Sequence, residues 1–500
     1  MGRLAGMSGW ARAAGLLAAC AAAVVMLLVV LDEGGRPIAD GVELAEGDPF
    51  AFEAERAGEF LDRGTRGLSH VLYELSPDGV EATARRTIGF EDEIAAAAKA
   101  EGVTPSTLEA LVFLESAGRP DVIAGPDPES AAGLAQILPS TATDLLGMSV
   151  DLGLSKRLTE RAAEAERRAA AANEPGELDE ARKRARALLG RRRAVDERFD
   201  PEAALAGVAR SPALAEDHFG REDLATTSYH MGIGNLDSVI EAYLSPDPVT
   251  GGTRRAVADR DLSYARLFFD SSPTRNPATY SLLRGLGDDS RTYLFRLEAA
   301  REIMRLFRED RAELRRLDRL HGNKASAEEV LRPPGETERF VDADALDGAY
   351  EDGELVALKS SPGRLGYRVD RQMGELAPQL AQTRSLYRGL RPEALAAVVY
   401  TAREVREIAG QRVTLTLTSS VRDEPYQELL GSANPEATDG YSLHTTGFAF
   451  DVARDLSRSG ERALVAVLER LRALAVVDWV YEPGAIHVTV GPDAELLLAD

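Results

Sequence analysis

The stretch Tyr441-Ser442-Leu443-His444-Thr445-Thr446-Gly447-Phe448-Ala449-Phe450-Asp451 sets a histidine and an aspartate seven residues apart. On a helix the two would meet awkwardly. A turn through Gly447 into a strand aims both at one point. Alternation then puts Ala449 and Asp451 on one strand face, with Phe448 and Phe450 on the other. Ile486-His487-Val488 follows 36 residues after Asp451, again a histidine between apolar neighbours, as on a half-buried strand. Taken singly, each histidine reads as a core residue satisfied by backbone hydrogen bonds. As a set, His444, Asp451 and His487 read as ligands for a catalytic Zn2+ that keeps its fourth position open for water. The chain has six histidines, and two of them fall in this set.

The same pattern extends outward. Residues 392–409 read as an amphipathic helix, and Val413, Leu415 and Leu417 alternate with threonines as a half-buried strand. Residues 448–452, 477–481 and 486–490 read as further strands and 460–474 as a helix, so residues 341–500 are expected to form an α+β domain. Arg332-Pro333-Pro334-Gly335 marks a boundary, within a linker at 319–340. Before it, 86–318 reads as helical. Within that span, 155–198 is rich in Ala, Glu and Arg with little apolar stripe, and reads as a solvated helical insertion broken near Asn173-Glu174-Pro175-Gly176. Residues 32–85 read as a stalk with short helices.

At the N-terminus, 13–31 carries no charge and is about long enough to cross a bilayer as a helix. Arg3 and Arg12 precede it, which puts residues 1–12 in the cytoplasm and the bulk of the chain in the periplasm or outside the cell. A cleaved signal peptide is the rival, as is a lipoprotein, since Leu17-Ala18-Ala19-Cys20 looks like a lipobox. Cys20 is the only cysteine, so the exported part has neither a disulfide nor a cysteine nucleophile. Five hundred residues with a formal net charge of −23 indicate two or three domains and argue against nucleic acid as a partner.

In the helical part, Thr104-Pro105 opens a helix that stops at Gly118-Arg119-Pro120. Leu108, Leu111, Val112 and Glu115 fall on one face of it. A carboxyl continuing an apolar stripe is partly desolvated, which raises its pKa and lets it act as a general acid. The bland alternative is a boundary glutamate paired with one of many arginines.

The residues around Glu115 resemble the lytic transglycosylase (SLT, lysozyme-like) family. Leu114-Glu115-Ser116 matches its E-S motif, and Gly133-Leu134-Ala135-Gln136 through Pro139, Thr141 and Ala142 matches its G-L-M-Q-x-x-P-x-T-A motif. Ser228-Tyr229-His230-Met231-Gly232 is similar to its A-Y-N-A-G motif, with His230 where asparagine is usual, and Tyr293 matches a tyrosine further on. The resemblance implies an all-α lysozyme-like domain that cleaves the bond between N-acetylmuramic acid and N-acetylglucosamine. Glu115 would carry both proton transfers, Ser116 and Gln136 would orient sugar groups, and Tyr229 would line the groove.

The C-terminal set resembles the zinc D-Ala-D-Ala carboxypeptidases and endopeptidases of the LAS type. Ser442, His444, Gly447, Ala449 and Asp451 match S-x-H-x-x-G-x-A-x-D, His487 matches the later histidine, and Arg422 matches the arginine of an S-x-x-R segment. The resemblance implies Ser442 and Arg422 on substrate and a carboxylate base near the last histidine. Gly484 occupies the usual position of that base, and Glu482 is the nearby carboxylate. Together these readings describe a multidomain, membrane-anchored enzyme of the bacterial envelope whose partner is peptidoglycan, with cell-wall machinery proteins as further partners. Two alternatives accompany it: a lytic transglycosylase with a C-terminal domain that only binds peptidoglycan, and an envelope scaffold with degenerate sites.

Overall fold

Pro105 at the first helical position and Ala117 in the left-handed conformation bracket the helix Pro105–Ser116, which carries Glu115. Leu108, Leu111 and Val112 are buried on its inner face, each contributing about 1.5–3 kcal/mol by leaving water. The computed structural model describes residues 37–39, 41–125, 127, 129–246, 251–359, 363–433 and 441–499. The segment 13–31, read as an anchor, lies outside them, as do residues 1–12. Among the described residues no helix is long and apolar enough to cross a membrane.

The described chain divides into two units. One comprises residues 52–333 and 468–478, the other 37–51, 334–467 and 479–499. The first is helical. Its main core gathers Leu108, Leu111 and Val112 with Leu134 and Ile137 of the following loop, Leu205 and Val208 of helix Pro201–Phe219, and Tyr293, Leu297 and Ile303 of helix Tyr293–Glu309. Glu109, on the same helix as Glu115, is held by both terminal nitrogens of Arg308 at 2.5 and 2.9 Å.

One stretch differs from the reading of the sequence. Residues 32–85 are no stalk along most of their length. From Ala57 the chain forms helices Ala57–Gly67, His70–Leu75 and Val80–Ile88, and Leu72, Tyr73, Val80 and Ala84 belong to the main core. These helices are short, so their apolar residues form no long stripe. Residues 41–45 instead join the other unit, where Ala45 N–H donates to the Leu497 carbonyl oxygen at 2.9 Å. The insertion follows its reading as helices broken near 173–176. It folds as two helices, Leu152–Ala171 and Pro175–Arg193, and Leu158, Ala162, Ala165, Ala185 and Leu188 give it a small apolar seam of its own.

The second unit is α+β. Two short ribbons pair β1 (Pro37–Ala39) with β2 (Val42–Glu43), and β3 (Val356–Ala357) with β5 (Gly389–Leu390). The main sheet has the order β4-β6-β7-β9-β8, from Tyr367–Val369, Leu415–Ser419, Ala449–Ala453, Ala485–Val490 and Val477–Tyr481 respectively. Antiparallel pairing of β7 with β9 sets Asp451 opposite His487, and pairing of β6 with β7 sets Ser419 opposite Asp451. Helix Pro392–Ala409 is fully buried at Leu395, Val398 and Val405.

Candidate functional sites

In the first unit Glu115 sits half-buried at the last turn of its helix. The Tyr293 hydroxyl donates to Glu115 Oε1 at 2.7 Å. Burial pushes the Glu115 carboxyl up to about 7, against the pull of that hydrogen bond and of the Arg296 charge. The group therefore holds its proton near neutrality. Tyr229 stacks near Tyr293, with ring centroids 6.3 Å apart, and its hydroxyl donates to the Ala135 carbonyl oxygen at 2.6 Å. His230 lies against the other tyrosine neighbour at 5.0 Å, and its Nδ1 shares a hydrogen bond of 2.9 Å with Ser290 Oγ. Tyr229 and His230 thus pack against Tyr293, the residue that holds the glutamate.

Ser116 and Gln136 are placed differently. The Ser116 side chain is 1% exposed, and its hydroxyl donates to the Val112 carbonyl oxygen of its own helix at 3.1 Å. Its hydrogen bond supports the helix end. Gln136 is half-buried with φ 47°, and its amide donates to the Gly133 carbonyl oxygen at 2.9 Å, which braces the loop.

That loop rests on an ion pair the sequence did not single out. Asp196 and Arg198 are fully buried and bidentate, at 2.9 and 2.7 Å. The Arg198 guanidinium also donates to the carbonyl oxygens of Ser130 and Ile137. Gly133 has φ +79°, and a Cβ there would lie 1.7 Å from the Arg198 carbonyl oxygen. Only the Asp-x-Arg spacing at the end of the charged insertion hinted at this support.

In the second unit the three expected ligands meet. One donor atom from each of His444, Asp451 and His487 lies within 4.8 Å of the others, and all three residues are buried. Gly447, with φ +78°, turns the chain from the short helix Leu443–Thr446 into β7. His444 Nδ1 lies 2.7 Å from the Ser420 carbonyl oxygen, which fixes its proton there and leaves Nε2 facing Asp451 at 3.3 Å. His487 presents Nδ1 to Asp451 Oδ1 at 2.9 Å, and its Nε2 lies 3.2 Å from Thr489 Oγ1. Burial and the nearby Arg422 charge bring His444 down to about 4, so its imidazole is neutral at physiological pH. Burial would raise Asp451, but the two histidines outweigh it and hold the carboxylate well below its usual range. Two imidazoles and a carboxylate, with outer hydrogen bonds in place, fit a zinc ion.

Arg422 stands beside them. It donates to Ser419 Oγ at 2.7 Å and Gln427 Oε1 at 2.9 Å, and reaches within 3.7 Å of Asp451 Oδ2. Burial depresses its guanidinium, while Asp451, Tyr426 and Glu482 counteract that. Ser442 is buried, with its carbonyl oxygen taken by Thr445. Glu482 is exposed on the turn between β8 and β9, where its N–H donates to the Ala485 carbonyl oxygen at 2.9 Å. Thr489 and Ser419 were legible in principle: Thr489 shares a strand face with His487, and Ser419 lies opposite Asp451.

Comparison with known proteins adds one match. The family model of the transglycosylase SLT domain matches residues 92–159, which hold the helix of Glu115 and the loop of Gln136. No curated protein matches the chain.

Proposed function

We propose that this chain is a peptidoglycan-cutting enzyme with two sites, a glycan-cleaving one at Glu115 and a peptide-cleaving one at His444, Asp451 and His487. The observation that carries the proposal is a glutamate that keeps its proton near pH 7, held by Tyr293, within the stretch that matches the SLT domain. Protonated Glu115 gives its proton to the glycosidic oxygen as the C1–O bond breaks. The resulting carboxylate removes the proton of the sugar's own 6-hydroxyl, whose oxygen closes onto C1 to give a 1,6-anhydro end. No second carboxylate is needed, because no water is activated. Residues 13–31 serve as the membrane anchor in this reading.

At the second site, His444, Asp451 and His487 would hold Zn2+, which polarises a carbonyl and lowers the pKa of bound water. Arg422, set in place by Ser419 and Gln427, orients a carboxylate or carbonyl of the stem peptide. Glu482 would be the residue that accepts a proton. Its exposure on a hairpin turn favours one competing reading, in which this unit binds peptidoglycan without cutting it.

The test is a digest of purified sacculi by the enzyme, with products identified by mass spectrometry. Anhydro-muropeptides are expected from the wild type and not from Glu115→Gln. Peptide cleavage is expected to disappear in His444→Ala and on chelation. Absence of anhydro products from the wild type overturns the first assignment. Peptide cleavage that survives both treatments overturns the second, and release of anhydro ends with no peptide cleavage establishes the competing reading.

A further inference from the structure

The helical hairpin that follows the first two SLT-like motifs has a charge unlike that of the rest of the chain. The whole protein carries 82 carboxylates against 59 lysines and arginines, yet residues 152–193 hold twelve cations and seven carboxylates. The asymmetry is sharper along its length. The acidic residues Glu174, Glu177, Asp179 and Glu180 gather at the tip, while residues 182–193 contain seven cations and no carboxylate. Arg182, Lys183, Arg184, Arg186 and Arg191 are all exposed. Among the described residues none of these five enters an ion pair or hydrogen bond. Arg157 and Arg161, on the other helix of the hairpin, share that state.

Such a set is costly to keep together. Like charges a turn apart repel by a few tenths of a kcal/mol per pair, and carboxylates abound elsewhere in this chain to relieve them. Most arginines of helix Tyr293–Glu309 are relieved in that way, as with Arg301, Arg305 and Arg308. A basic patch left unpaired on an acidic protein focuses a field that attracts polyanions.

Its position supplies the partner. Arg192 and Arg193, at the root of the hairpin, both bind Asp121 at 2.8 Å. Asp121 is six residues beyond Glu115, so its Cα lies no more than about 21 Å from that of Glu115. A polymer threaded past Glu115 passes the basic root within a few sugar units.

We propose that the exposed basic stretch of helix Pro175–Arg193, from Arg182 to Arg191, is a docking surface for a polymer of repeated carboxylates, the peptide-bearing glycan strand itself, and that it holds the strand processed at Glu115. This rests on the reading of Glu115 as glycan-cleaving. The many weak contacts are electrostatic, so affinity falls with salt.

The test uses the full chain carrying Glu115→Gln, which leaves strands intact, and sacculi stripped of phosphate-bearing polymers. Replacing Arg182, Lys183, Arg184 and Arg186 together by glutamine is expected to weaken sacculus binding about tenfold or more at low salt and to flatten its salt dependence. Replacing Arg182, Arg184 and Arg186 by lysine is expected to preserve both. Should the fourfold variant melt early, Arg184→Glu with Arg186→Glu reads the same change. Unchanged affinity and salt dependence overturn the proposal. So does binding that appears only with phosphate-bearing sacculi or anionic phospholipid vesicles, or loss of self-association in place of sacculus binding. The two readings fail separately. A wild type that releases no anhydro ends but binds through these cations loses its catalytic assignment and keeps the docking surface. Normal release with unaltered binding removes the docking surface alone.

Discussion

At the scale of single residues, the chemistry turns on how Glu115 holds its proton. Its carboxyl is raised from the ordinary 4.5 to about 7 by burial, so cleavage is expected to fall about tenfold per pH unit above 7. The same shift affects stability. Between pH 4.5 and 7 the unfolded chain gives up this proton while the folded chain keeps it, so stability declines as pH rises and stays lowered above 7. Glu115→Gln removes that loss, and is expected to be more stable than wild type at pH 8 by on the order of 2 kcal/mol, with little difference at pH 4. Denaturant melts at the two pH values check it. Tyr293→Phe is expected to act in the opposite sense to a simple lesion. Losing the donor at 2.7 Å raises the Glu115 pKa further, so the alkaline limb of the rate profile moves up even as the rate drops roughly tenfold. A pH–rate profile that only falls in height would sink this role for Tyr293. Glu115 was legible in the sequence because a carboxylate on an apolar stripe coincides with the Glu-Ser and Gly-Leu-Ala-Gln motifs around it. Ser116 was not, because adjacency in sequence says nothing about which way a hydroxyl turns, and here it turns back into its helix.

At the scale of elements, regular periodicity was readable and tertiary support was not. Residues 392–409 and 477–481 fold as the patterns of their apolar residues require, since each buries one face or both. The register of β7 against β9, which sets Asp451 opposite His487, needed only strand alternation and a turn at Gly447. The short helices between Ala57 and Ile88 were readable but their place in the core was not, because their burial depends on partners distant in sequence. The turn Glu197–Phe199 escaped notice for another reason: a buried Asp196–Arg198 pair looks like one more stretch of a charged insertion. Its function as a base for the Gln136 loop gives a sharp expectation. Gly133→Ala places a methyl against the Arg198 carbonyl at a left-handed φ, so the loop must leave its support. A loss of more than about 3 kcal/mol is expected, with glycan cleavage falling in proportion to unfolding or further. Equal stability of Gly133→Ala and wild type in denaturant would contradict the packing of the loop on this turn.

At the scale of the whole chain, the two units do not follow sequence order, and this determines how they can be separated. The unit holding Glu115 takes residues 468–478 from near the C-terminus. Within it, the buried Arg63 guanidinium donates to the Leu474 carbonyl oxygen at 3.2 Å, and the Ala327 N–H donates to Asp478 Oδ2 at 2.5 Å. A boundary read from Arg332-Pro333-Pro334-Gly335 invites truncation at 333, which removes both acceptors. Each donor left unsatisfied costs roughly 1–3 kcal/mol. Burial of Leu468, Leu471 and Leu474 is lost as well. A fragment of residues 52–333 is therefore expected to melt well below the full chain and to lose glycan cleavage although every residue around Glu115 is present. Adding residues 468–478 back as a separate peptide is expected to raise its melting temperature in a concentration-dependent way, as binding to the folded state requires. A fragment as stable as the full chain, indifferent to the peptide, would show that this segment contributes nothing to the fold around Glu115. The two proposed activities are for the same reason best divided by point substitution. Glu115→Gln is expected to leave chelator-sensitive peptide cleavage intact, and His444→Ala to leave the release of anhydro ends unchanged.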